Sequence, residues 1–126
     1  MAPDALGVKT RPTASGPGST RLELARLALA EALATNGVIE AVEGPRGFWV
    51  TASDGERLAG VTAVALPDGR YEIGLHLVVR LLVPLRPLAE RVRSRIERAA
   101  TDVGLAYALG PIDVAFGDTS ESAEEI

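Results

Sequence analysis

The sequence predicts an α+β fold in which helices pack on a small mixed sheet. Every odd-numbered residue from 71 to 81 is apolar, which is the period of a strand with one buried face. After Pro84 the apolar residues recur with the period of a helix, and a second short apolar run follows at 112–116. A strand, a helix and another strand close most simply as a right-handed crossover that leaves the two strands parallel.

The length and composition predict one domain with two polar ends. The 126 residues suffice for a single core, and because 47% of them are hydrophobic but only 4% aromatic, that core should be aliphatic. Residues 1–18 are rich in Pro, Gly, Ser and Thr, and residues 118–126 combine Ser and Thr with acidic residues. We therefore predict a flexible arm at 1–18, a single α+β domain at 19–117 and a disordered acidic tail at 118–126.

A first helix is predicted between Thr20 and Asn36. Thr20 followed by Glu23 is the pattern of a capping box, residues 21–34 are almost all good helix formers, and Asn36-Gly37 is a typical helix end. Apolar residues cover most of the circumference of this helix. Two interpretations remain open: the helix is sandwiched inside the core, or it packs partly against another chain.

Short strands are predicted between the first helix and the strand that begins at Tyr71. The candidate strands are 38–42, 48–52 and 58–66, and the turns that follow them are 44–47, 54–55 and 68–69. Short runs of alternating residues bounded by glycine-containing turns are typical of antiparallel pairing. We expect a meander that leads into the central strand.

The helix after Pro84 is predicted to bury one apolar face against the sheet. Its apolar residues lie within an arc of about 120° at the helical step of about 100° per residue. They are Leu85, Leu88, Ala89, Val92, Ile96, Ala99, Ala100 and Val103.

Three arginines on a flank of this helix are the candidate partner-binding residues. Arg91, Arg95 and Arg98 recur at four- and three-residue spacing, and only Asp102 lies on the same flank to balance them. One interpretation is a solvated face whose arginine stems cover the edge of the core. The other is a docking stripe for an acidic partner surface, such as the acidic tail of a neighbouring copy.

The residue types argue against an enzyme, a cofactor site or a metal site. Cysteine is absent, and the carboxylates do not cluster at metal-ligand spacing. His76 is the single histidine, and it lies in mid-strand without a converging acid or nucleophile. We therefore interpret it as a surface or satisfied structural residue.

Charge and hydropathy limit the partners. A net charge of −4 disfavours nucleic acid, and no segment approaches the ~20 consecutive apolar residues that span a bilayer. We expect a cytoplasmic protein with no direct membrane insertion. The alternative is a small KH-like RNA-binding protein that uses Arg46 and the three arginines, because the 44–47 turn is similar to the clamp loop of KH modules.

The second half of the chain resembles a known family. The residues concerned are Leu75-His76-Leu77-Val78-Val79, Pro84-Leu85, the helix from Leu88 onward, Gly104 and Ile112-Asp113-Val114. Over roughly residues 60–116 this pattern is similar to the C-terminal half of the alkaline-shock-protein family of bacterial envelope-stress proteins. The resemblance implies a non-enzymatic cytoplasmic protein that a small membrane-anchor protein holds at the inner face of the cell membrane. It also implies association with copies of itself or with a longer family paralogue.

Overall fold

The computed structural model describes residues 17–53 and 55–117. The elements are α1 (Pro17–Leu33), β1 (Val38–Ala41), β2 (Val50–Ser53), β3 (Glu56–Ala59), β4 (Val61–Ala65), β5 (Tyr71–Val79), α2 (Leu85–Asp102) and β6 (Leu109–Phe116). The predicted α+β fold is confirmed: a helix, antiparallel strands, a second helix and a final strand follow in that order. The predictions for residues 1–16 and 118–126 lie outside the described residues, whereas Pro17 and Gly18 belong to α1 and not to an arm.

Strand β5 is the centre of the sheet. Along one edge it pairs antiparallel with β4, from Val61 opposite Leu75 to Ala65 opposite Tyr71, and then with β1, whose Ala41 lies opposite Leu77. Along the other edge it pairs parallel with β6 over nearly its whole length. The predicted parallel pairing of the strands on either side of α2 is therefore confirmed.

The backbone of His76 lies where β1 and β4 meet end to end. Its N–H donates to the carbonyl of Gly60 at 3.0 Å, and its carbonyl accepts from the N–H of Val42 at 3.0 Å. The end of β1 and the start of β4 come so close that a Cβ on Gly60 would lie 2.4 Å from the Cβ of Ala41. Only glycine fits at position 60, where φ is also +90°.

Both helices pack on the aliphatic face of the sheet. The inward residues of β5 are buried with those of α2, and the residues of this shared core include Ile73, Leu75, Leu77, Leu88, Val92 and Ile96. The predicted apolar face of α2 is correct in its middle and wrong at its ends. Leu85 is 45% exposed and Val103 is 60% exposed, because Leu85 is the first residue of α2 and Val103 lies just beyond its last.

Helix α1 is an interior helix. It contacts β4, β1, β5, β2 and α2, and its buried residues are Leu22, Leu24, Ala25, Ala28 and Ala32. Of the two interpretations, burial in the core of the same chain accounts for most of the apolar surface. The predicted capping box is wrong, because the helix begins at Pro17 and Thr20 lies inside it.

The predicted meander is split in two. The run at 58–66 is broken at Gly60 into β3 and β4, and β2 and β3 form a separate two-stranded sheet. The hydroxyl of Thr51 connects this hairpin to the main sheet by donating to the carbonyl of Val61 at 2.8 Å.

Arg26 of α1 also contacts this hairpin, donating from Nε to Glu56 at 3.0 Å. That hydrogen bond lowers the pKa of Glu56, so this contact is present at neutral pH and is lost as the pH falls through the lowered value.

Ile96→Asp should prevent folding. Ile96 is fully buried in the core, and a carboxylate there would have no partner, so the loss should exceed about 4 kcal/mol. Circular dichroism of the purified variant should show no cooperative thermal transition. Ser94→Asp, at an exposed position of the same helix, should change the free energy of unfolding by no more than about 0.5 kcal/mol. A wild-type melting curve for Ile96→Asp would contradict the assignment of the buried face.

Candidate functional site

The candidate site is an open groove between α2 and the C-terminal end of α1. Thr35 and Asn36 line one side, and the flank of α2 that carries Arg91, Arg95 and Arg98 lines the other. Its volume is about 560 Å³. The structure thus brings the three arginines predicted from the sequence to one concave surface and adds the end of α1, which the helical spacing could not reveal.

The three arginines differ in how they are engaged. Arg95 is half-buried and donates from Nε to Glu31 of α1 at 3.1 Å. Arg91 reaches the backbone carbonyl of Asn36 at 3.5 Å. Within residues 17–53 and 55–117, Arg98 makes no hydrogen bond or ion pair, and it is exposed.

The expected charge balance of this flank is therefore wrong in one respect. The sequence suggested Asp102 as the balancing acid, but Glu31 of α1 pairs with Arg95. Glu90 also lines the groove. With Arg95 paired, the positive charge available to an incoming group belongs mainly to Arg91 and Arg98.

The connection between β5 and α2 places exposed leucines beside two more arginines. Leu82 is 92% exposed, and Leu81 and Leu85 are each more than 40% exposed, while Arg80 and Arg86 on either side are exposed as well. The N–H of Arg80 donates to the carbonyl of Gly37 at 3.0 Å, next to the groove residue Asn36. The groove and the leucines therefore share one end of the fold. Sequence reasoning missed this patch by assigning Leu85 to the core.

Leu82 has a backbone conformation that leucine rarely adopts. Its φ is +71°, and it is the third residue of a turn closed by a hydrogen bond from the N–H of Val83 to the carbonyl of Arg80 at 3.3 Å. A positive φ at this place in a turn favours Gly or Asn. The turn thus combines backbone strain with an apolar side chain in solvent.

His76 lies on the opposite face of the sheet, away from the groove. Its ring stacks on Trp49 with centroids 5.2 Å apart and planes 21° apart. It is only 8% exposed, and its Nδ1 has no hydrogen-bond partner among the described residues. The expectation of a surface residue or a fully satisfied structural residue is wrong, and the reason is that the residues after β1 fold over this face.

Three glycines enclose this stacked pair. A Cβ on Gly44 would lie 2.5 Å from the Trp49 ring, and one on Gly117 would lie 2.7 Å from the His76 ring. Gly74, between His76 and Glu72 on the same face, would meet Trp49 at 3.0 Å. A glycine inside an otherwise regular strand is the signal that could have indicated a covering aromatic ring. This arrangement packs His76, and no carboxylate among the described residues orients its Nδ1.

The glycine-rich turn at 44–47 joins strands and not helices. It lies between β1 and β2 and is a short 3₁₀ turn in which Arg46 has φ +64°. The clamp loop of a KH module joins two helices. The turn therefore lacks the flanking elements on which the RNA-binding alternative depends.

Comparison with protein-family models, curated proteins and solved structures gives no significant match. Neither helix in the described part of the chain is long and apolar enough to cross a membrane. Across the same residues, no group of three or more His, Cys, Asp or Glu side chains is arranged to hold a metal ion.

Gly74→Ala should disturb the stacked pair in a way that fluorescence reports directly, because Trp49 is the single tryptophan. The added methyl would meet Trp49 at 3.0 Å and Thr62 at 2.5 Å, so we expect a loss of about 1–3 kcal/mol in the free energy of unfolding. The Trp49 emission of the folded variant should shift to longer wavelength as the ring moves toward solvent.

Gly69→Ala is the matched control for this variant. Gly69 has φ +91°, and nothing lies within 4 Å of the position of its Cβ. The backbone strain there should lower stability by about 1 kcal/mol, with the emission spectrum unchanged. Identical emission for wild type and Gly74→Ala would contradict the packing of Trp49 on β5.

Proposed function

We propose that this protein is a non-enzymatic interaction module of the bacterial cell-envelope stress response. In this proposal it works at the inner face of the cell membrane, where a small membrane-anchor protein holds it, and it associates with copies of itself or with a longer paralogue. The observation that carries the proposal is the single end of the fold at which the arginine-lined groove adjoins the exposed leucines 81, 82 and 85.

Charge and shape together make the groove suited to a protein partner. Arginine can hold a carboxylate through two parallel hydrogen bonds, and it gives up its water more readily than lysine does. Arg98 has no partner among the described residues, and Arg91 has only a long contact with a backbone carbonyl. Acidic side chains from a partner could therefore bind to these arginines without displacing a strong internal contact.

The leucines supply the apolar part of such a surface. Protein interfaces commonly combine an apolar centre with a polar rim, and much of the binding energy comes from a few central side chains. Leu82 projects into solvent between Arg80 and Arg86. Strained residues persist where function requires them, so the positive φ of Leu82 supports a role in contact.

The resemblance to the alkaline-shock-protein family adds the biological setting. The elements that carry it are β5, α2 and β6, and both the groove and the leucines belong to this unit or adjoin it. This support comes from a residue pattern, and the membrane anchor and the link to envelope stress rest on it.

The triple variant Arg91→Gln, Arg95→Gln, Arg98→Gln should stay folded and associate more weakly. Each exposed ion pair contributes about 0.2–1 kcal/mol, so the loss of the pairs that Arg91 and Arg98 make with a partner should weaken binding roughly two- to thirtyfold. Sedimentation velocity of the full chain over a concentration series measures self-association. Co-sedimentation with inner-membrane vesicles of the producing bacterium measures attachment, and protease treatment of the vesicles should abolish it.

The matched control changes the same charge elsewhere. Arg46→Gln, Arg57→Gln, Arg70→Gln removes three exposed arginines that are not among those lining the groove and should leave both measurements unchanged. Equal binding by the two triple variants would contradict the role of the groove. Binding to protein-free lipid vesicles as strong as to native vesicles would contradict the anchor.

Leu82→Gly should separate stability from association. Glycine adopts φ +71° without strain, so the free energy of unfolding should rise by up to about 1 kcal/mol, while self-association weakens because the projecting side chain is gone. Leu81→Gly lies in the same turn without a positive φ and should instead lower stability by about 0.5–1 kcal/mol. Urea unfolding and sedimentation of both variants provide the test, and unchanged association in Leu82→Gly would remove this turn from the interface.

A further inference from the structure

We infer that the acidic segment 118–126 of the same chain binds in the arginine-lined groove. The segment carries Asp118, Glu121, Glu124 and Glu125 and no basic residue. Its charge is thus complementary to that of Arg91 and Arg98, which are the least engaged arginines of the groove.

The point at which the segment leaves the fold is suitable for this contact. Gly117 donates its N–H to the carbonyl of Leu77 at 2.9 Å, which places the end of β6 near the C-terminal end of β5. Because β6 is parallel to β5, and α2 starts after the short connection from β5, the segment begins at the end of the molecule that carries the first turns of α2. The groove includes Pro87 and Arg91 from those turns.

The length of the segment is sufficient for it to cross the helix. Gly117 lies against His76 on the face opposite the helices, so the path to the groove includes the spacing of about 10 Å between packed layers and the width of α2, about 10–12 Å. Residues 118–125 can extend to at most roughly 26–29 Å. The carboxylates also match the arginines in spacing. Glu121 and Glu124 are about 10 Å apart when extended, and Arg91 and Arg98 are separated by about 10 Å along α2.

Tethering makes such a weak contact effective. Exposed ion pairs are individually weak and are screened by salt, but a short connection to the same fold raises the local concentration of the segment to the millimolar range. The contact should therefore form at low ionic strength and open when salt is added or when a stronger acidic partner competes. The role of this competition in regulating association rests on the proposed function, whereas occupancy of the groove does not.

Paramagnetic broadening tests the occupancy in the isolated full chain. The chain contains no cysteine, so Ser122→Cys gives one site for a nitroxide label. At low salt we expect loss of intensity in the amide signals of Thr35, Asn36 and residues 91–98. Broadening that is the same when the four acidic residues are changed to Asn or Gln would overturn the inference, because it would come from the tether alone.

Two arginine variants make the test specific. Arg91→Gln, Arg95→Gln, Arg98→Gln should remove the broadening at the groove, and Arg46→Gln, Arg57→Gln, Arg70→Gln should retain it. A mixture of isotope-labelled chains without nitroxide and unlabelled chains with nitroxide should show no broadening at the groove. Broadening in that mixture would instead assign the occupant to a neighbouring copy and overturn the assignment to the same chain.

The outcome is independent of the proposed function. The broadening experiment contains no partner and no membrane, so its failure would leave the binding experiments on vesicles unaffected. If the groove binds the segment but no variant alters vesicle binding, the proposed function fails while this inference stands. If both hold, neutralising the four acidic residues should strengthen association with the partner, since the competing segment is removed.

Discussion

The structure depends on burying the central strand β5 on both faces while pairing it along both edges. Buried backbone N–H and C=O groups must find partners, and β5 finds them in three strands. One edge belongs to β6, and the other is shared by β4 and β1, which meet at the backbone of His76. This meeting point leaves no room for a side chain at Gly60, so the break between β3 and β4 follows directly from the need to satisfy the central strand.

The two faces of β5 are covered by different means. The aliphatic face takes both helices, and their packing needs only apolar residues at helical spacing. The other face is covered by the stack of Trp49 on His76, which fits because Gly44, Gly74 and Gly117 have no side chains. The Nδ1 of His76 has no hydrogen-bond partner among the described residues, and a buried polar atom without a partner costs about 1–3 kcal/mol. At the end of the fold near α1 and α2, charged and apolar side chains remain together in solvent.

The periodicity of the sequence predicted those features of the fold that depend on residues close together in the chain. The central strand, the buried middle of α2 and the parallel pairing with β6 follow from periods of two and 3.6 residues and from the crossover rule. Periodicity could not predict contacts between residues that are far apart in the sequence. Arg95 and Glu31 are 64 residues apart, and Trp49 reaches His76 only because the turn at 44–47 folds back over the sheet. The start of α1 was missed because a capping pattern at Thr20 also fits inside a longer helix.

The turn after β5 supports the proposal that this end of the fold is a contact surface. The chain must reverse between Val79 and Leu85, and the turn that achieves this needs a left-handed residue at its third position. Glycine there would remove the strain and the apolar exposure together. Leucine instead keeps the backbone strain and leaves an apolar side chain 92% exposed. Neither folding stability nor solubility therefore accounts for leucine at this position. This side chain costs the isolated fold free energy in two ways. Under the proposed function another surface covers it, and the adjoining arginines favour an acidic surface.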